Sequence, residues 1–450
     1  HELRTAPLFT RRAYLTNSLR DEIGQYGLLG ETQPVRYGRY INISTNHVRL
    51  TRALAVGEQD APLSAVICGV QGSGKSHTVS IMLESMFVRN CPPIGKLVKP
   101  LSGLVFHLGD TGPNAKPCEA AFLSASMVKN AKAPSVRVYV SPGSVQRAGR
   151  LYGALCGDLE IEPLVFSEAE LDAAAFLSLM AVGSSDSAPL YMQSVLAILR
   201  KLGEEFTYKA FMREIDELFD TLNSMQQNSL KQRLELLRTF TSSKLPRSKP
   251  LPKPRFAPGQ ITIVDLSDPF IDTASACGLF EIVLHAFERA EVDTGKVVLV
   301  DEAHKYLLPR NSTGLVNALL TVIREQRHRA MRVLISTQEP TVIPPTFLAL
   351  CPVIIMHRFS SAAWWEHLTK HVAGDTGDQD MIDIVVRLRT GEAAVLAPTG
   401  LDVAARSMAA SNSGTDMELR KFGRNYILVK TRKRITRDGG VSMLAVARNT

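Results

Sequence analysis

Apolar residues fall along this chain in two rhythms. On either side of its middle they form short unbroken runs: AVIC at 65–68, LVFHL at 104–108, VRVYVS at 136–141, ITIVDLS at 261–267, KVVLVDE at 296–302, RVLISTQ at 332–338 and VIIMH at 353–357. Runs of this length without alternation predict strands buried on both faces, with helices covering them. Between residues 167 and 240 the spacing becomes helical. Leu196, Leu199 and Leu202, then Phe211, Ile215, Leu218, Phe219 and Leu222, then Leu230, Leu234 and Leu237 predict a run of about four helices beside the sheet. SKLPRSKPLPKPRF at 243–256, with four prolines and five basic residues, predicts a stiff, exposed linker.

The ends are less regular. The first stretch, to about residue 57, is polar, with one strand candidate at 39–43. Near the other end, Asp438-Gly439-Gly440 between TRKRIT and VSMLAV is a hairpin signal. The expected division is an N-terminal extension at 1–60, a first core part at 61–166, a helical insertion at 167–242, a basic Pro-rich linker at 243–258, a second core part at 259–400 and a basic C-terminal segment at 401–450.

Composition narrows the class. The 450 residues are 45% hydrophobic and 21% charged, a globular balance with room for one large or two ordinary domains. No stretch of about 18 apolar residues lacks charges or prolines, so no membrane span is expected. HELRTAPLFTRR has no apolar core of signal-peptide type, which points to a soluble protein of the cell interior, cytoplasm and nucleus being equally open. Six cysteines without a CxxC pair read as buried, reduced thiols. A net charge of +8 is compatible with a polyanionic partner without requiring one.

The chemistry sits at three strand ends. GVQGSGKSHT at 69–78 follows a predicted strand and opens a predicted helix, and it fits G-x-x-x-x-G-K-[ST] with Gly69, Gly74, Lys75 and Ser76. Glycines let backbone N–H groups curl around phosphate oxygens, and the helix N-terminus adds a positive dipole end. Gly69, Gln71, Gly72, Ser73, Gly74, Lys75, Ser76 and His77 are the candidate nucleotide contacts. Lys75 would reach the terminal phosphates, and Ser76 would ligate Mg²⁺. At the end of VVLVDEAHK, Asp301 can hold the metal shell and Glu302 can polarise a water for attack on the γ-phosphate. An acid in that second place favours hydrolysis over phosphate transfer to a substrate. His304 reads as a structural or coupling residue. RVLISTQEP delivers Gln338 to the γ-phosphate if its strand lies between the other two. Ahead of it, Leu315, Ala318, Leu319, Val322 and Ile323 share one helix face, and Asn317, Thr321, Arg324 and His328 share the opposite one. That helix ends in REQRHRAMR, where Arg324 and Arg327 are candidates for an arginine finger, with Arg310 a weaker third.

GVQGSGKSHT, ITIVDLS, VVLVDEAHKYL, IREQRHRAMRVLISTQEP and RLRTGEAAVL occur in the order found in HerA–FtsK-type P-loop ATPases. The sequence resembles the HerA-like branch over roughly residues 60–400. The resemblance implies an α/β, RecA-like core, a mainly parallel sheet flanked by helices, with an α-helical insertion. It implies ATP and Mg²⁺ as cofactors, Gln338 as the polar sensor and Arg324 or Arg327 as a finger. It further implies a homo-oligomer, a hexameric ring, that moves duplex DNA, with a nuclease or other protein as a further partner. Two departures stand out. The first 60 residues are short for the family's N-terminal β-barrel, and Gln326 stands where the family's RExGR motif has glycine. The alternative is a nucleotide-controlled, protein-remodelling or assembly switch that does not act on DNA. A small-molecule kinase fits poorly with the Asp301–Glu302 pair.

Overall fold

The computed structural model describes residues 6–16, 24–33, 47–51, 63–112, 115–155, 157–167, 170–171, 190–241, 254–307, 313–371, 379–405 and 417–439. The chain opens with β1 (Leu8–Thr10), α1 (Arg11–Thr16), β2 (Tyr26–Thr32) and β3 (His47–Thr51). It continues with β4 (Ala65–Cys68), α2 (Lys75–Phe87), β5 (Gly95–Lys96), β6 (Ser102–His107), β7 (Ser135–Val140), α3 (Val145–Tyr152) and β8 (Leu159–Pro163). Three helices follow among the described residues, α4 (Leu190–Leu202), α5 (Tyr208–Phe219) and α6 (Ser224–Phe240). Then come β9 (Gln260–Asp265), α7 (Thr273–Arg289), β10 (Lys296–Val300), α8 (Thr313–Arg324), α9 (Gln326–Arg329), β11 (Met331–Thr337), α10 (Pro345–Leu350) and β12 (Val353–Met356). The last elements are α11 (Ala362–His371), α12 (Gln379–Arg387), β13 (Glu392–Leu396), β14 (Leu401–Ala405), β15 (Met417–Lys421) and β16 (Tyr426–Thr431).

One sheet carries these strands, in the order β15-β14-β1-β3-β2-β16-β13-β12-β4-β11-β10-β6-β9-β7-β8, with β5 added to β2. From β12 to β8 every neighbouring pair is parallel. The unbroken apolar runs follow from burial on both faces. Val66 and Cys68 of β4 join one hydrophobic cluster with Val298 and Val300 of β10. Ala65 and Ile67 join another with Val297 and Leu299. Helices α7 and α8 cover the first face and α2 the second. On α8, Leu315, Ala318, Leu319, Val322 and Ile323 are all buried, as the helical spacing predicts.

The middle helices close the same face. Phe211, Ile215, Leu230, Leu234 and Leu237 belong to the cluster that holds Leu104, Phe106 and Val264 of the sheet. The basic Pro-rich stretch departs from the expected exposed linker at its end. Arg255 is buried, with its Nε donating to Glu170 Oε1 at 3.0 Å and its Nη2 donating to the Val165 carbonyl at 2.8 Å. A paired guanidinium with a long apolar stem can be buried where an unpaired ammonium cannot, and proline-basic composition does not reveal the partner. Residues 242–253 lie outside the described residues, as does the strand candidate at 39–43.

The polar N-terminal stretch is more ordered than its pattern predicts. Strand β3 lies between β1 and β2 and is antiparallel to both, and β2 pairs on its other side with β16 from the other end of the sequence. Of the expected C-terminal hairpin only the first limb lies within the described residues. There Thr436 forms an isolated bridge with Ser126.

Candidate active site

The C-terminal edge of the parallel block gathers the chemistry. Strand β11 lies between β4 and β10, so the turn after β4, the acidic pair after β10 and Gln338 after β11 are neighbours. The turn's backbone depends on its glycines, with φ of 148° at Gly69, 74° at Gly72 and 111° at Gly74. A Cβ on Gly69 would lie 2.7 Å from His357 Cβ. Helix α2 starts at Lys75 directly from Gly74, which presents its first N–H groups to the turn.

Lys75 is 5% exposed, and its ammonium donates to the Val70 carbonyl at 2.9 Å. Burial pulls its pKa down, while Glu302, Cys68 and Asp301 pull it up. The Cys68 thiol, one strand position before the turn, is pushed up to about 12 by burial. Ser73 Oγ donates to the same Val70 carbonyl at 2.6 Å. Gln71, Gly72 and Ser76 are exposed on the outside of the turn.

Glu302 sits at φ 50°, a left-handed conformation that costs a non-glycine residue about 1–3 kcal/mol. Gln338 Nε2 donates to both of its carboxylate oxygens, at 3.0 and 2.9 Å. His304 Nδ1 lies 3.3 Å from Glu302 Oε2 and accepts from the Gln338 N–H at 3.4 Å. Burial lowers the His304 pKa, which suits an accepting, neutral ring. Asp301 lies beside the pair at the end of β10, with its backbone carbonyl accepting from Tyr306 Oη at 2.8 Å. Lys75, Asp301, Glu302, His304 and Gln338 thus come together around the phosphate-type turn.

The arginines do not join them within one chain. Arg324 and Arg327 are exposed and precede β11, whose far end carries Gln338. A seven-residue strand spans about 23 Å, so they occupy the opposite edge of the sheet. Gln326 faces that edge too, accepting from Ser64 Oγ at 2.7 Å. Arg310 lies outside the described residues.

Sequence reasoning missed the braces under the turn. His357 is fully buried after β12. Its Nδ1 is 3.0 Å from the Glu392 carbonyl, so Nδ1 carries the proton and Nε2 accepts from Thr78 Oγ1 at 2.9 Å. Burial lowers its pKa to about 4. The Arg358 carbonyl accepts from Val70 N–H, and Gly391 N–H donates to the Ser73 carbonyl. RLRTGEAAVL contains Gly391, yet a lone glycine in sequence carries no sign that it touches a loop over 300 positions earlier. His77 is held from behind, its Nε2 lying 2.9 Å from the Arg432 carbonyl.

No protein-family model matches this sequence, and no curated protein matches it. Among solved structures, VirB4 of Thermoanaerobacter pseudethanolicus is similar over 84% of this chain and 92% of its own, at 12% identity and a TM-score of 0.44. The bacterial conjugative coupling protein TrwBdeltaN70 is similar over 92% of this chain and 97% of its own, at 12% identity and a TM-score of 0.44. The genome packaging NTPase B204 of Sulfolobus turreted icosahedral virus 2, in complex with AMP, is similar over 80% of this chain and 97% of its own, at 9% identity and a TM-score of 0.32. The architecture itself rests on the strand order and the glycine turn: the chain has the fold of a RecA-like P-loop ATPase core.

Proposed function

We propose that this chain is a Mg²⁺-dependent ATP hydrolase that works in an oligomeric ring as a motor on duplex DNA. The observation that carries the hydrolase reading is the junction of three strand ends. A buried Lys75 in a glycine turn lies beside a carboxylate, Glu302, that Gln338 grips through both oxygens.

In this reading the backbone of residues 69–77 cradles the triphosphate, and Lys75 turns from the Val70 carbonyl to the β- and γ-phosphates. Ser76, exposed at the start of α2, and Asp301 are oxygen donors of the type Mg²⁺ prefers. Mg²⁺ held there would supply positive charge to offset the charge developing on the phosphate oxygens. Glu302 takes the proton of the attacking water. Gln338, within reach of Glu302, ties the position of that base to the state of the γ-phosphate. His304 buffers the pair from the side. Arg324 or Arg327, on the far edge, serves the site of a neighbouring subunit, where a cation offsets transition-state charge.

The motor half of the proposal rests on the motif order shared with HerA–FtsK-type proteins. ATP turnover measured with and without duplex and single-stranded DNA, across a salt series, tests it. Duplex-stimulated turnover that fades as salt rises is the expected outcome, because neutralising phosphates releases counterions. Turnover unchanged by any nucleic acid would keep the hydrolase, overturn the DNA motor and favour a switch directed at protein.

A further inference from the structure

We propose that His107, Cys118 and Asp301 form a binding site for a borderline-soft divalent cation of the Zn²⁺ class, next to the nucleotide pocket. His107 ends β6, and Asp301 follows the adjacent β10, paired with β6 through Val300 and Phe106. Cys118 comes from the connection between β6 and β7. One donor atom from each residue lies within 4.8 Å of the other two. His107, Cys118 and Asp301 are 7%, 0% and 9% exposed.

Two further observations point to a ligand. Neither ring nitrogen of the buried His107 makes a hydrogen bond of full geometry, and the groups that face the ring are the Asp301 carboxylate and the Cys118 thiol. Its Nδ1 is 3.4 Å from Asp301 Oδ2, a contact without hydrogen-bond geometry. A tetrahedral ion with bonds of about 2.0–2.3 Å spaces its donors about 3.3–3.8 Å apart, so this pair already has the separation of two ligands. In addition, Cys118 is held in place from outside. Its N–H donates to Tyr152 Oη at 3.0 Å, and that hydroxyl donates to Asp265 Oδ2 at 2.6 Å. Supports of this kind orient ligands around metals.

The donor set selects the ion. Mg²⁺ and Ca²⁺ take oxygen ligands, whereas imidazole, thiolate and one carboxylate suit Zn²⁺ or Co²⁺ and leave a fourth position for water. Binding releases the Cys118 thiol proton to solvent as the thiolate meets the metal. Because Asp301 is shared, the ion withdraws a carboxylate from Mg–nucleotide. This regulatory half rests on the hydrolase reading, whereas metal binding does not.

The test uses the full chain without nucleotide, titrated with Co²⁺. The expected result is a thiolate-to-cobalt charge-transfer band that saturates at one ion per chain and is displaced by Zn²⁺. The band is lost in Cys118→Ser, weakened at least tenfold in affinity in His107→Asn, and kept in Cys351→Ser, whose thiol is buried elsewhere. Absence of the band from the parent, or its persistence in Cys118→Ser, overturns the site. For the regulatory half, ATP turnover by the parent falls as Zn²⁺ fills the site and returns with a chelator selective for Zn²⁺ over Mg²⁺. Undiminished turnover with the site filled overturns it. A chain that shows the cobalt band but never turns over ATP counts against the hydrolase and leaves the metal site standing.

Discussion

An ammonium group only 5% exposed, bonded to a backbone carbonyl, gives up little solvation when it turns towards phosphate. Removing it should therefore show mainly in affinity. Lys75→Ala is expected to weaken Mg–ATP binding about ten- to a hundredfold, the scale of a charge-assisted contact, as read by fluorescent-nucleotide titration. Glu302→Gln should bind nucleotide as the parent does and lose turnover by about 10²–10⁴, the range for a positioned base. Parent-rate turnover in that variant would remove Glu302 from the base role. His357 makes a separate prediction about pH. Its folded pKa of about 4 lies below the ordinary 6.5, so the unfolded chain binds the extra proton between those values. The stability it contributes is present above about pH 6.5 and is lost as pH falls towards 4, by up to about 3 kcal/mol. Urea midpoints compared between parent and His357→Gln across this window should converge as pH falls.

At the scale of elements, the glycine turn is braced by the ends of β12 and β13 and by the segment after β16. Arg432 Nη1 donates to Glu84 Oε2 at 2.6 Å, and Glu84, fully buried on α2, also accepts from the N–H groups of Ile435 and Thr436. Breaking a buried pair strands a charge, so Arg432→Ala is expected to cost about 3–5 kcal/mol in urea denaturation. The same change in a Glu84→Gln background should cost less; an equal cost would place the effect in lost packing instead. The buried parallel strands and the phosphate-type turn were legible in the sequence because double-sided burial leaves apolar runs and only glycines accept that turn. The neighbourhood of Gln338 and Glu302 followed once their strands were ordered. Strands β1 to β3, interior to the sheet between β14 and β16, were hidden because they are partly polar and because β1 and β2 pair with strands distant in sequence. His357 and Arg432 were hidden for a related reason, since a single buried histidine or arginine carries no periodicity.

For the whole molecule, placing Arg324 and Arg327 on the edge opposite the turn means that neither can serve as a finger for the site of its own chain. If the hydrolase works as a ring, Arg327→Ala and Glu302→Gln chains should each be inactive, and mixing them should restore partial turnover. Interfaces that combine an intact base with an intact arginine then form. Failure to complement at any mixing ratio would remove Arg327 from a role across subunits. The sheet order has one more consequence. Strand β16 lies between β13 and β2, with Gly30 registered against Thr431. During synthesis β2 can pair with β3 soon after it leaves the ribosome, but the edge that takes β16 stays open until nearly the whole parallel block has been made. Pairings this distant close slowly and leave edges open to other chains. The nascent protein should thus depend on shielding until β16 emerges, and only then can the support behind His77 close.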